Sequence, residues 1–148
     1  MYPRQIQKLI TLFSQFPTVG SRTAARFVFY LLKISQKDAE ELVSAIAELK
    51  KDIVLCRLCF QPFDGREEEG LCALCKNQGR DKNILCIIEK ESDLEALEST
   101  KQYQGLYFVL GGTVGTLAKE QRESLRTKEL KERIEQSPFK EIIIATNP

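Results

Sequence analysis

Cys56-Arg-Leu-Cys59-Phe-Gln-Pro-Phe-Asp-Gly-Arg-Glu-Glu-Glu-Gly-Leu-Cys72-Ala-Leu-Cys75 is the stretch that decides how the chain is read. Two C-x2-C pairs separated by a short loop supply four thiolates, enough to close a tetrahedral shell around one zinc ion. A closed four-sulfur shell has no open position for water or substrate, so the expected metal is structural. Two other readings weigh less. A redox C-x-x-C needs only one copy and usually opens a helix after a strand. A disulfide framework needs a secretory context, and nothing secretory precedes the pairs. The fifth cysteine, Cys86, sits inside the apolar run Ile84–Ile88 and reads as a small buried strand residue.

Outward from the cysteines the chain changes character. Upstream, Ile6, Leu9, Ile10 and Phe13 recur at helical spacing. Phe16-Pro17-Thr18-Val19-Gly20 then interrupts the pattern, and a second helix is expected from about Ser21 to Leu32, with Ala24, Ala25, Val28, Leu31 and Leu32 inward. Ser35-Gln36-Lys37-Asp38 has the form of a capping box. It opens a third helix with Ala39, Leu42, Val43, Ile46 and Leu49 as its apolar stripe. Downstream lie three continuous apolar runs, Ile84–Ile88, Leu106–Leu110 and Ile142–Ala145. Runs without alternation indicate strands buried on both faces, as in a parallel sheet. Between them fall two helical segments: one opened by Ser92-Asp93-Leu94-Glu95, and one over Leu125–Ile134. The expected fold class is α/β, with a helical hairpin bundle over 1–54, a four-cysteine zinc finger over 55–80 and an incomplete parallel sheet over 81–148. The third strand lies close to Asn147-Pro148, which points to a truncated protein or to a partner covering that edge.

Charge is divided unevenly along the chain. Its 22 basic and 21 acidic residues nearly cancel, yet residues 1–33 carry Arg4, Lys8, Arg22, Arg26 and Lys33 and no acid. A basic end on a neutral chain suits a polyanion, although a solvated helix face would read the same way. No apolar stretch reaches membrane-helix length, and unpaired cysteines fit a reducing compartment, so a cytoplasmic location is expected. The chain has no histidine, which removes His-based acid–base catalysis and mixed Cys/His metal sites.

Three motifs bear on function. The segment Phe16–Arg26 resembles a helix-hairpin-helix, in which a tight turn and a helix N-terminus face a phosphate. Gly20, Arg22 and Arg26 are then the DNA-contacting candidates, while Thr18 stands where that motif has its first glycine. Glu89 directly follows the first strand and Asp93 lies four residues on, at the sheet edge where ligands bind in such folds. Those carboxylates could hold magnesium, but one acid is weak evidence, and Glu89 reads more readily as solvated or helix-capping. Gly111-Gly112-Thr113-Val114-Gly115 follows a strand but lacks a lysine–threonine signature, so it reads as a turn.

In order and spacing these blocks resemble the bacterial RecR recombination-mediator family, over essentially the whole chain. The blocks are the hairpin at 16–26, the cysteine pairs at 56–75, Arg80-Asp81 with Leu85–Glu89, Gly105–Gly112 and Ala145–Pro148. The resemblance implies a helix-hairpin-helix, a four-cysteine zinc finger, a Toprim domain and a further C-terminal segment. It assigns zinc to Cys56, Cys59, Cys72 and Cys75, DNA contact to Arg22 and Arg26, and the Toprim acidic position to Glu89. It further implies a non-enzymatic, nucleoid-associated repair protein that binds gapped or junction DNA without sequence preference. RecO- and RecF-like partners and a dimer or tetramer ring come with it. Two rivals remain: a magnesium-dependent Toprim nuclease or primase-like enzyme, and a zinc-stabilised adaptor that binds only protein.

Overall fold

The structure is a computed structural model describing residues 2–66, 69–112 and 125–146. Glu67, Glu68, Thr113, Val114, Gly115, Asn147 and Pro148, all named above, lie outside the described residues. The chain divides into two compact units, Met1–Lys51 and Asp52–Pro148.

The first unit holds α1 (Arg4–Phe13), α2 (Ser21–Leu31) and most of α3 (Gln36–Asp52). Helices α1 and α2 form a hairpin closed by aromatic edges, with Phe13 5.7 Å from Phe16 and 5.9 Å from Phe27. The capping box of α3 forms as expected: Ser35 Oγ accepts from the Asp38 amide at 3.1 Å and donates to its carboxylate at 2.7 Å. Burial departs from expectation. Among the described residues of this unit only Ala24 and Val28 are buried. Leu32, expected inward, lies just past the end of α2 and is exposed, and so are Leu42, Val43, Ile46 and Leu49 of the α3 stripe, where Val43 keeps 68% of its surface and Ala39 alone is half-buried. Periodicity makes a helix amphipathic, but it does not supply the surface that covers the apolar side.

The second unit begins with a small antiparallel hairpin, β1 (Ile53–Leu55) on β2 (Pro62–Asp64), in register Ile53↔Asp64. This hairpin carries the first C-x2-C at its tip. A single turn of helix, α4 (Ala73–Lys76), carries Cys75, and Cys72 is its N-cap. Three parallel strands follow in the order β4-β3-β5: β3 (Asp81–Ile88), β4 (Gly105–Val109) and β5 (Glu141–Ala145). Two helices connect them, α5 (Glu91–Ser99) and α6 (Thr127–Gln136), giving the expected β-α-β-α-β order.

Alternation of side chains along β3 and β4 splits the core in two. Cys86, Ile88, Tyr107 and Val109 face α5 through Leu94 and Leu97. Leu85, Ile87, Leu106 and Phe108 face α6 through Leu130 and Ile134, with Phe139 beside them. Each fully buried Leu, Ile or Phe here contributes about 1.5–3 kcal/mol. Cys86 is the buried strand residue its context predicted. Strand β5 is the exception. All five of its residues are exposed, and Ile144 keeps 73% of its surface, because among the described residues neither core cluster extends over β5, whereas β4, also at an edge, is covered on both faces.

Candidate metal centre and nucleic-acid interface

The four cysteines of the two pairs converge. Their sulfur atoms all lie within 4.8 Å of one another, with Cys59 Sγ 3.4 Å from Cys72 Sγ. Three of the four are buried and Cys75 is half-buried. The Cys72 amide donates to Cys56 Sγ at 3.4 Å, the kind of N–H···S bond that stabilises a thiolate. The group behaves as one titrating unit. Cys56 is pushed far down, first by the hydrogen bond from the Cys59 thiol and then by those from Cys72 and Cys75. Cys59 and Cys75 are pushed far up, first through their hydrogen bonds with Cys56. Cys72 is lowered to about 7, its hydrogen bond with Cys56 opposing the shift and those with Cys59 and Cys75 outweighing it. Cys56 and Cys72 thus ionise readily while Cys59 and Cys75 resist, so a fully ionised cluster requires a bound cation to balance it. These four residues could hold one metal ion.

The tip of this knuckle is fastened to the sheet. Cys59 O accepts from the Val109 amide at 2.9 Å, which places the knuckle against the edge of β4. Phe60, at φ 62°, packs edge-on against Phe108 at 5.3 Å. The Arg126 guanidinium lies 5.0 Å from the other partner of that contact, the Phe60 ring, and donates to Val109 O at 2.9 Å.

Beyond the carboxyl end of β3 stands Glu89, which is 1% exposed. It is therefore not solvated, and Lys90 rather than Glu89 caps α5: Glu89 extends the buried C-terminal half of β3. Its Oε1 lies 3.3 Å from Lys90 Nζ. The cap of α5 is also placed differently from the sequence reading. Lys90, not Ser92, is the N-cap residue, and Asp93 Oδ2 accepts from the Lys90 amide at 2.9 Å. Glu91 approaches Arg126 at 3.9 Å. Gly111, at φ 91°, donates its amide to Glu89 O at 2.9 Å, carrying the β3–β4 pairing one residue past the strand ends; the rest of the expected turn lies outside the described residues.

In the first unit, Arg22 and Arg26 lie one turn apart on α2, both exposed, and among the described residues neither forms an ion pair. Gly20 is the N-cap of α2 and makes no side-chain capping bond, leaving the first amides of the helix without that partner. Its φ of −82° is ordinary, and a Cβ there would meet nothing within 4 Å. The demanding position is Thr18, with φ 64°. That conformation explains a glycine in the motif, and a β-branched residue holds it at a cost of about 1–2 kcal/mol.

One functional cluster escaped sequence reasoning. Arg80, 7% exposed, ion-pairs with Glu98, donates Nη1 to Gly105 O at 2.7 Å, and lies 5.5 Å from the Tyr107 ring centre. It ties the knuckle's exit to α5 and β4. The sequence offered its place directly before β3 and its membership of a block shared with the family, but neither signal distinguishes a buried arginine from a solvated one.

A helical hairpin, a four-sulfur knuckle and a three-stranded parallel sheet together define a protein of the helix-hairpin-helix and Toprim type. Residues 6–50 match the RecR helix-hairpin-helix family and residues 83–148 match the Toprim domain family. The chain is 37% identical over 147 residues to the recombination protein RecR of Rubrobacter xylanophilus, covering 99% of this chain and 72% of that protein. It is 39% identical over 146 residues to that of Moorella thermoacetica (99% and 71%) and 40% identical over 147 residues to that of Syntrophobacter fumaroxidans (99% and 71%). The chain belongs to the RecR family of recombination proteins.

Proposed function

We propose that this chain is a non-enzymatic DNA-binding component of recombinational repair, which helps load recombinase on gapped DNA together with RecO- and RecF-like partners. The observation that carries this is that Arg22 and Arg26 stand exposed, with no ion pair among the described residues, beside a start of α2 that has no side-chain cap. Two guanidinium groups and free helix amides grip a phosphate backbone without reading bases. One zinc ion is held by Cys56, Cys59, Cys72 and Cys75. An all-sulfur donor set suits it, and four sulfurs about 2.3 Å from a central ion would stand about 3.8 Å apart, compatible with the observed cluster. The ion closes the knuckle and has no reacting position.

A homo-oligomer, dimer or ring, accounts for the exposed stripe of α3. Leu42, Val43, Ile46 and Leu49 all keep more than two-fifths of their surface, a stripe of the sort that marks association. The magnesium-dependent reading keeps one observation in its favour, the burial of Glu89 at the sheet edge. Against it, Glu91 and Asp93 are engaged with Arg126 and the Lys90 amide, which leaves few oxygens to converge on an ion.

The test is fluorescence anisotropy on gapped duplexes of unrelated sequence, across a salt series. Arg22→Ala/Arg26→Ala should weaken binding to all of them alike and lower the salt slope by about 2. Unchanged affinity in that double variant would refute the reading. Magnesium-dependent cleavage that disappears in Glu89→Gln would replace it with the enzyme.

A further inference from the structure

A cleft of about 510 Å³ opens in the second unit between the knuckle, the start of β3 and the turn from α6 to β5. Its size falls in the range of small-ligand sites. Leu58, Leu106, Pro138 and Phe139 form its apolar wall, Cys75 of the four-sulfur cluster also lines it, and two cations, Lys82 and Arg133, stand over it. Among the described residues no carboxylate lines it. Glu129 and Glu132 flank Arg133 on its other side, where they line a separate cavity of about 120 Å³.

Lys82 Nζ donates to the neutral Gln78 Oε1 at 2.8 Å, and among the described residues neither Lys82 nor Arg133 makes an ion pair. Arg133 Nε is enclosed without an acceptor, and its guanidinium lies 5.9 Å from the Phe139 ring centre. An aromatic wall, two cations without a carboxylate ion pair among the described residues and the polar side chains of Asn83 and Ser137 match one ligand chemistry: a flat base joined to a phosphate.

We propose that this cleft holds one nucleotide unit of single-stranded DNA, its base against Phe139 and Pro138 and its phosphate between Lys82 and Arg133. This rests on the DNA-binding reading above and adds a second, strand-selective contact to it. Duplex DNA keeps its bases stacked and paired, so it cannot offer one to the cleft. The helical hairpin would hold any backbone; the cleft would recognise an unpaired strand.

The experiment uses the full zinc-loaded chain and anisotropy on a thymidine oligomer and a blunt duplex. Lys82→Gln/Arg133→Gln should weaken oligomer binding about tenfold at low salt and leave duplex binding within about twofold. Phe139→Leu, which keeps apolar volume in the core, should weaken the oligomer about fivefold or more through lost stacking. Circular dichroism melting checks that each variant folds, and a bromouracil oligomer should crosslink to the peptide holding Phe139. Unchanged oligomer binding in both variants overturns the cleft proposal. Equal loss for oligomer, duplex and a polyglutamate competitor also overturns it, because the cleft would then be a plain charge trap. Loss in Arg22→Ala/Arg26→Ala with no loss in the cleft variants leaves the hairpin reading intact and removes only this one. If the parent chain binds neither probe, both readings fall.

Discussion

Arg80 offers the sharpest test of how the second unit is held together. Its side chain is 4% exposed, and the Glu98 side chain with which it pairs is 33% exposed. Replacing Arg80 by Met keeps most of the volume but removes the ion pair, the 2.7 Å bond to Gly105 O and the contact with the Tyr107 ring. Breaking a buried pair from one side costs about 3–5 kcal/mol, chiefly because the remaining charge is stranded. Glu98 can turn partly toward water, which discounts that figure to about 2–3 kcal/mol. For a unit of roughly 100 residues this lowers the melting midpoint by about 8–20 °C. The assay is thermal unfolding of the metal-loaded chain, followed in the near-ultraviolet signal of Tyr103 and Tyr107.

The same geometry predicts a rescue. Arg80 Nε, Glu98 Oε2 and Tyr107 Oη are all buried without a hydrogen-bond partner among the described residues, so the pair is only partly compensated for its loss of water. Arg80→Met/Glu98→Gln should therefore recover at least about 1 kcal/mol relative to Arg80→Met alone. A single variant within about 0.5 kcal/mol of the parent would refute the assignment. So would a double variant no better than the single one.

Three further outcomes follow from neighbouring features. Thr18→Gly should raise the stability of the first unit by about 0.5–1 kcal/mol, since it relieves a left-handed threonine and gives back part of that gain as unfolded-state entropy; denaturant melts would show it. Burial pushes Tyr107 up from the ordinary 10.0, with the adjacent Glu98 adding to the effect. A raised folded pKa means stability is intact below about pH 10 and is lost as pH rises beyond it, and Tyr107→Phe should flatten that alkaline slope in a pH series of melts. Elemental analysis should find one zinc per chain, and chelation or Cys59→Ser should lower the melting midpoint of the second unit, because metal binding and folding are coupled there.

Much of the architecture is legible in the residues because its signals are local. Continuous apolar runs gave the three strands to within a few residues, and the absence of alternation correctly marked β3 and β4 as buried on both faces. The C-x2-C spacing anticipated the convergence of four sulfurs. What escaped was tertiary. The run at Ile142–Ala145 looks like a doubly buried strand, yet among the described residues neither core cluster reaches over it and it stays exposed. The α3 stripe is real but is uncovered among the described residues, because a repeat of apolar residues says nothing of its cover. Glu89 read as solvated by residue type, whereas its place after Ile88 fixes it inside. The β1–β2 hairpin was missed for a simpler reason: three-residue strands, one starting at Pro62, carry too little periodicity to register.

The knuckle's attachment to the sheet gives the cysteines a consequence beyond their own loop. Strand β4 has β3 on one side, and on the other its Val109 amide is taken by Cys59 O. Leaving such an amide unpaired away from water costs about 1–3 kcal/mol. The carbonyl that satisfies it belongs to a cysteine whose position depends on the four-sulfur cluster. Phe60, the next residue, fills the space against Phe108 and beneath Arg126. An ion bound by the cysteines would therefore organise the edge of the sheet as well as the knuckle. Arg126 joins the same assembly to Glu91, beside the acidic corner. Loosening the knuckle should thus be felt at Glu89 through β4 and Arg126, although no cysteine is a neighbour of Glu89 in sequence.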